Sequence, residues 1–299
     1  MRILIYSSLI FAFLSVFGSA KEWTKFRGPS GDGHVTVKSI PLKWSETENI
    51  KWKVSVPGKG WSSPVISADK IYLTSAVAEG DNQDAADVHR ELRVICFSAN
   101  NGKKLWDTKV FDQKPLKRPI HHKNSHASPT AIVDNDRIYV HFGHMGSACL
   151  NLQGEIIWRN DELKYDPLHG NGGTPIIVDD LFFYSADALT NPFVVALNKN
   201  TGKVVWKKSR SETKQARKFS FSTPTFINMG GRSQIISPAS GAVFSYDSKT
   251  GDELWSVDYG GWSVIPKPGV YKNMIYVGTG YERAHLLGIR VDEKSKGNV

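Results

Sequence analysis

The stretch Gly102-Lys103-Lys104-Leu105-Trp106 occurs in four variants along the 299-residue chain. The other copies run from Gly154 to Trp158, from Gly202 to Trp206 and from Gly251 to Trp255. The copies follow one another at intervals of about 50 residues, and self-similarity at such a period indicates stacked copies of one supersecondary unit. We therefore predict a repeat fold in which every unit ends in a Gly-x-x-aliphatic-Trp pattern.

The residues upstream of each copy indicate the rest of the repeating unit. A β-rich run precedes each glycine, for example at residues 92–97 and 193–197, and turn-forming residues separate the run from the glycine. This arrangement suits a tight hairpin with the glycine at positive φ. Further upstream, each unit opens with Ser or Thr before Pro, followed by two apolar strands. Four short antiparallel strands per unit are typical of a β-propeller blade, so the predicted fold is all-β.

The number of units leaves the closure of the ring open. Four full units are followed by a partial fifth that starts at Trp262 and contains no further complete Gly-x-x-aliphatic-Trp pattern. Residues 49–54 look like a tryptophan strand that lacks its earlier strands, and such a strand can complete the last blade of a ring. The alternatives are a small closed ring and an incomplete ring whose C-terminal blades are missing. We expect the incomplete ring, with poor solubility of the 299 residues on their own.

The amino terminus has the layout of a secretory signal peptide. An apolar run at residues 3–17 follows Arg2, and small residues at 18–20 precede Lys21. The run is shorter than a membrane span, which favours cleavage after residue 20 over a retained anchor. We expect an exported protein, periplasmic or extracellular, with no membrane span after cleavage. Residues 21–299 then form the propeller domain, in which residues 21–47 are an irregular segment pinned by Trp23, Phe26 and Trp44.

Charge and cysteine content exclude some classes of function. The net charge is +9, but the basic residues are scattered over turns and strand faces without a stripe interleaved with aromatic residues. We therefore expect no nucleic-acid partner. Cys96 and Cys149 fall on equivalent strands of successive units, where the separation is usually too large for a disulfide, so we predict two buried thiols. We expect a monomer whose ligand or protein partner is unknown.

The repeat resembles a known family. Residues 197–206 and 246–255 resemble the repeat of pyrroloquinoline quinone (PQQ)-type β-propellers. Residues 23–33, 52–64 and 122–128 look like segments of the exported PQQ-repeat proteins common in environmental bacteria. The resemblance covers residues 21–291. Members of that group usually continue past this length, which supports the incomplete ring.

The resemblance does not establish a cofactor. Quinoprotein dehydrogenases that resemble this repeat hold PQQ with adjacent cysteines, a stacking Trp, a calcium ion and an Asp base. This sequence has no adjacent cysteines, and its repeat tryptophans are expected to pack between blades. We therefore predict no bound cofactor, although PQQ and calcium remain open, and no catalytic residue is carried over.

One polar cluster is a candidate binding site. The histidines of this cluster precede the first strands of two units, at the end that faces the centre of a propeller. Three imidazoles with an Asn near one mouth could bind a transition metal, but no pair has the spacing of a strong metal motif. The alternative, which we favour, is polar side chains that satisfy backbone groups and water at the channel mouth. The candidate residues are His121, His122, Asn124, His126, His169 and Asn171.

These patterns predict a non-enzymatic binding or scaffolding propeller, because the blade-forming residues are complete and the cofactor-binding pattern is not. One alternative is a PQQ- or metal-dependent dehydrogenase that uses unrecognised ligands. A second is a scaffold like the outer-membrane assembly factor that shares this architecture.

Overall fold

The computed structural model describes residues 22–37, 39–80, 82–116, 119–229, 231–281 and 284–298. The predicted signal peptide at residues 1–20 lies outside these residues. Within the described part of the chain, no helix is long and apolar enough to cross a membrane.

The chain is an all-β propeller, as predicted, and its described residues form four blades of four antiparallel strands and a three-stranded fifth sheet. The strands of blade 1 are β1 (Val65–Ser67), β2 (Lys70–Ala78), β3 (Arg90–Ser98) and β4 (Lys104–Gln113). Those of blade 2 are β5 (Ile132–Asp134), β6 (Arg137–His141), β7 (Ser147–Asn151) and β8 (Ile156–Asn160), with a short 3-10 helix at Gly143–Met145. Those of blade 3 are β9 (Ile176–Val178), β10 (Leu181–Ala186), β11 (Phe193–Asn198) and β12 (Val204–Ser209).

The last strands depart from the four-stranded plan. Blade 4 contains β13 (Thr225–Met229), β14 (Arg232–Pro238), β15 (Ala242–Asp247) and β16 (Glu253–Asp258), and the fifth sheet contains β17 (Gly269–Tyr271), β18 (Met274–Gly278) and β19 (Leu286–Arg290). A final strand, β20 (Gly297–Asn298), pairs in parallel with β16 and sets Gly297 opposite Trp255. Gly297 has φ +69°, close to the value at Gly102. Unlike Gly102, however, Gly297 would place a Cβ atom with nothing within 4 Å, so it does not pack against Trp255 as the repeat glycines pack against their tryptophans.

Each repeat glycine is required by its backbone and by its neighbour. Gly202 has φ +71°, a conformation that L side chains rarely adopt. A Cβ atom at this position would lie 2.5 Å from Cε3 of Trp158, the tryptophan of the preceding blade. The same relation joins Gly102 to Trp52, Gly154 to Trp106 and Gly251 to Trp206.

Three tryptophans link neighbouring units through their ring nitrogens, whereas the Trp255 ring nitrogen donates to Gln234 of its own blade. The indole N–H groups of Trp106 and Trp158 donate to the backbone oxygens of Leu152 and Lys199, at 3.1 and 2.8 Å. Trp52 donates to the Ala99 oxygen in the same way, although residues 49–56 form no strand. Residues 49–54 therefore occupy the position of a tryptophan strand, and no ladder completes a blade around them.

A β-bulge in every full blade turns the tryptophan towards its neighbour. The register shifts directly before each tryptophan, for example where Cys96 pairs with Trp106 and the next residue, Phe97, pairs with Lys104. The skipped residue, Leu105, has no partner and is exposed. Equivalent shifts occur in blades 2, 3 and 4. An extra residue in one strand increases local twist and redirects the side chain that follows.

The hydrophobic core lies mainly between blades. One buried cluster joins Val94 and Val110 of blade 1 to Val140 and Leu150 of blade 2, and further clusters join the later pairs. Inner strands such as β11 are buried on both faces for this reason. The two cysteines are buried free thiols, and burial raises the pKa of each to about 11.

A buried ion pair within blade 3 contacts blade 4. Nε of Arg210 donates to Oδ1 of Asp187 at 2.6 Å, and Nη2 donates to Oδ2 at 2.9 Å. Nη2 also donates to the Ser237 hydroxyl of blade 4 at 2.8 Å. The bidentate geometry gives each charge a partner away from water.

Candidate ligand-binding site

The loops that lead into the first strands of the blades surround one central cleft of about 910 Å³. The irregular N-terminal segment closes one side of it. Trp23 exchanges two backbone hydrogen bonds with Ile66 of β1, and Nζ of Lys267, at the start of the fifth sheet, donates to the Gly31 oxygen at 2.8 Å. Trp44, which we expected to pin this segment, is 58% exposed. The cleft is lined by Phe26, Arg27, Trp61, His121, Lys123, Asn124, Ser128, Thr130, His169, Gly172, Thr174, Arg217, Phe219, Phe221, Thr223, Trp262, Ser263, Ile265, Pro266, Lys267 and Tyr281.

A series of threonine hydroxyls joins the blades around the cleft. The backbone N–H of Ser63 donates to Oγ1 of Thr130, the N–H of Thr130 donates to Oγ1 of Thr174, and the N–H of Thr174 donates to Oγ1 of Thr223, each at 3.0 Å. These residues belong to the Ser/Thr-Pro starts of successive units. The sequence indicates them as strand starts, but their role as inter-blade links appears only in the structure.

Asn124 fixes the loop before blade 2 against the loop before blade 3. Its Nδ2 donates to the His169 oxygen at 2.8 Å, and its Oδ1 accepts from the Ser125 N–H at 2.8 Å and from the Ser128 hydroxyl at 2.5 Å. The Asn124 amide therefore forms its hydrogen bonds with protein groups of the two loops. It thus satisfies backbone groups of both loops.

The predicted histidines are divided between two cavities. His121 and His169 line the central cleft with ring centroids 5.3 Å apart, and His122 stacks on His121 at 4.4 Å. His122 and His126 line a smaller neighbouring cavity of about 420 Å³, which His121 also borders. Within the described ranges, no group of three or more His, Cys, Asp or Glu side chains could hold a metal ion.

The separation of His126 from His169 has a local cause. The Ser125 hydroxyl accepts hydrogen bonds from the N–H groups of Trp61 and Ala127, at 3.1 and 3.2 Å, which makes a tight turn at this point. His126 lies beside Arg90, and burial lowers its pKa to about 4, with a further contribution from the Arg90 charge. The structure therefore does not place His126 and His169 together at one mouth of the channel.

Asn171 lies behind the wall of the cleft. Its Oδ1 accepts from the Tyr165 hydroxyl at 2.8 Å, and the Tyr165 oxygen is 3.3 Å from Nε2 of His141. Nδ1 of His141 in turn contacts the Ser147 hydroxyl at 2.9 Å, and complete burial lowers the pKa of His141 to about 3. Asn171 thus belongs to a buried network that positions the wall.

Four basic side chains line the cleft: Arg27, Lys123, Arg217 and Lys267. The guanidinium carbon of Arg217 lies 4.6 Å from the centroid of the Trp262 ring. Burial lowers the pKa of Lys267, as do the neighbouring charges of Arg27 and Lys25. Among the described residues, no Asp or Glu side chain lines the cleft. The basic residues come from distant parts of the sequence, so no motif or spacing could have indicated them.

The donor set does not fit a calcium ion, because calcium takes oxygen ligands and chiefly carboxylates. Positive side chains and aromatic rings fit an anion instead. The two thiols lie in different blades, so they provide no pair of adjacent cysteines at the cleft.

The fold, the bulged tryptophan strands and the central cleft define a PQQ-type propeller. The family model described as outer membrane protein assembly factor BamB matches residues 90–262 and 191–292. The chain therefore belongs to this family of PQQ-type repeat proteins.

One curated protein is similar to part of this chain in sequence, and two solved structures are similar to it in fold. The chain is 33% identical over 140 residues to the quinoprotein ethanol dehydrogenase of Pseudomonas aeruginosa strain PAO1, a match that covers 42% of this chain and 22% of the dehydrogenase. Its fold is similar to that of BamB from Moraxella catarrhalis, with a TM-score of 0.51, 14% identity and coverage of 81% of this chain and 73% of BamB. It is also similar to that of quinohemoprotein alcohol dehydrogenase from Comamonas testosteroni, with a TM-score of 0.58, 10% identity and coverage of 95% and 49%.

Proposed function

We propose that this chain is an exported, non-catalytic binding propeller that holds a small ligand in its central cleft. The observation that carries the proposal is the cleft itself, which combines four basic side chains with aromatic walls in a cavity of about 910 Å³. Concave sites with aromatic walls and a few convergent polar groups are the usual form of small-molecule sites.

The scaffold around the cleft supports binding without large rearrangement. The threonine links and the Asn124 side chain tie the loops of neighbouring blades together. A cavity whose walls are already held in place loses little conformational freedom when a ligand binds. Export is supported by the apolar run and small residues of the amino terminus.

The alternative function is that of a quinoprotein dehydrogenase, favoured by the identity to the ethanol dehydrogenase. The test is to incubate purified protein with PQQ and Ca²⁺, remove free cofactor, and follow dye-linked oxidation of alcohols and sugars. The binding proposal expects no turnover above that of a boiled sample. Sustained substrate-dependent dye reduction, lost on removal of Ca²⁺ and restored by its return, would overturn it.

A second alternative is a protein-assembly scaffold, favoured by the description of the matching family. Crosslinking in intact cells followed by purification of the tagged chain distinguishes this function. Stoichiometric recovery of outer-membrane assembly components would replace the small-ligand proposal. Fractionation of the same cells tests export, which predicts a mature chain that begins after residue 20 in the envelope or the medium.

A further inference from the structure

We infer that the ligand of the central cleft is an acidic saccharide, a sugar that carries at least two carboxylate or sulfate groups. This inference rests on the binding function proposed above and specifies its ligand class. It follows from the charge, the hydrogen-bonding capacity and the shape of the cleft wall.

The charge of the wall favours an anion. Arg27 comes from the N-terminal segment, Lys123 precedes blade 2, Arg217 precedes blade 4 and Lys267 precedes the fifth sheet. None of these four side chains forms an ion pair with another described residue. Lys267 is partly buried, and its Nζ has only the neutral Gly31 oxygen as a hydrogen-bond acceptor among the described groups. Arg27, Lys123 and Arg217 are exposed, and the Asp32 charge acts on Lys267 without pairing with it, so an anionic ligand would give these four side chains an ionic partner.

The number of basic groups favours a ligand with more than one anionic group. Arg27 and Lys267 lie where the N-terminal segment meets the fifth sheet, whereas Lys123 and Arg217 belong to the loops before blades 2 and 4, so we expect a single small anion not to reach all four. A ligand with several charged groups can pair with two or more of these side chains at once. Arg and Lys both pair readily with carboxylate and sulfate oxygens.

The neutral groups of the wall are also hydrogen-bond donors. Oγ1 of Thr130, Thr174 and Thr223 each accepts from a backbone N–H, and no described acceptor takes the hydroxyl hydrogen. A hydroxyl group can donate one hydrogen bond while it accepts another. The wall is thus rich in donors, which suits a ligand covered with oxygen acceptors.

The aromatic side chains form separate platforms. Trp61 is 58% exposed and Tyr281 is 68% exposed, at the rim of the cleft. The Trp262 and Tyr281 rings are 5.7 Å apart and tilted by 54°, so they do not form a parallel slot for a flat aromatic ligand. One face of Trp262 is covered by Arg217. Exposed faces of single aromatic rings, such as those of Trp61 and Tyr281, instead suit packing against the C–H groups on one face of a sugar ring.

The test uses isothermal titration of the full chain with two acidic probes, tetragalacturonate and a sulfated heparin tetrasaccharide, and with neutral cellotetraose. We expect an acidic probe to bind at least tenfold more tightly than cellotetraose at low salt. Binding weakens as salt is added, because the contacts are ionic. Lys267→Met and Arg217→Met each weaken binding about tenfold, as expected for loss of one charge-assisted contact. Lys249→Met, which removes an exposed turn lysine away from the cleft, leaves the affinity unchanged.

Several results would overturn the inference. One is equal affinity for acidic and neutral probes, and another is equal weakening by Lys267→Met and Lys249→Met. Failure of both acidic probes to bind folded protein at millimolar concentration also overturns it. If Lys267→Met melts at a lower temperature than the unchanged protein, Lys123→Met takes its place in the titration. The Lys123 side chain donates no hydrogen bond to the described scaffold, so its loss should not affect folding. Binding of cellotetraose or PQQ alone overturns the ligand class and leaves the binding function standing, whereas PQQ-dependent turnover removes the function as well.

Discussion

Replacing Gly202 with alanine tests the packing rule that joins each blade to the next. The variant places a Cβ atom 2.5 Å from Cε3 of Trp158 and forces alanine to φ +71°. The left-handed conformation costs about 1–2 kcal/mol, and forcing an extra methyl group into a packed interface adds about 1–3 kcal/mol. We therefore expect the free energy of unfolding to fall by about 2–5 kcal/mol.

The matched control is Gly231→Ala. Gly231 has φ +69°, and a Cβ atom there meets nothing within 4 Å, so only the conformational cost applies. Urea unfolding followed by tryptophan fluorescence measures both variants, with a midpoint shift at constant slope as the readout. If the two variants are destabilised equally, the contact between glycine and tryptophan contributes nothing and the packing argument is refuted.

Three other predictions concern the interior. Asp187→Asn removes one partner of the buried ion pair with Arg210, so we expect a loss of about 3–5 kcal/mol in urea unfolding, and a loss below 1 kcal/mol would contradict the assignment. His141 has a folded-state pKa of about 3, below its unfolded value, so the unfolded state binds the proton more readily. Stability should therefore fall as pH decreases from about 6.5 towards 3, by about 1.4 kcal/mol per unit for this group, and His141→Gln should flatten the profile measured by thermal melting. Trp158→Phe removes the indole N–H donated to the Lys199 oxygen and some buried surface, and we expect a loss of about 1–3 kcal/mol, whereas Trp44→Phe, at an exposed position, should change the melting temperature little.

The blade plan could be predicted from the sequence because it depends on local chemistry. A glycine at positive φ sets each hairpin, and the tryptophans of blades 1, 2 and 3 each pack against the repeat glycine of the following blade. The bulge before the tryptophan is less visible, because a skipped residue such as Leu105 is apolar like its neighbours.

The candidate site was predicted only in part. His121, Asn124 and His169 do line the cleft, since they lie directly before inner strands. His126 and Asn171 lie at similar sequence positions but face other surroundings, because single turns and hydrogen bonds set the direction of each side chain. Sequence spacing does not specify these directions.

The sequence by itself determined the repeat, the all-β class and the strand starts, because hairpin, bulge and proline effects act within a few residues. Only the tertiary structure decided which basic side chains line the same cleft. Arg27 and Lys267 lie at opposite ends of the described chain, and both line the cleft because the N-terminal segment reaches the fifth sheet, where Lys267 contacts Gly31. The Gly102 to Trp106 pattern thus specifies the blades, while the arrangement of the blades creates the cationic cleft at their centre.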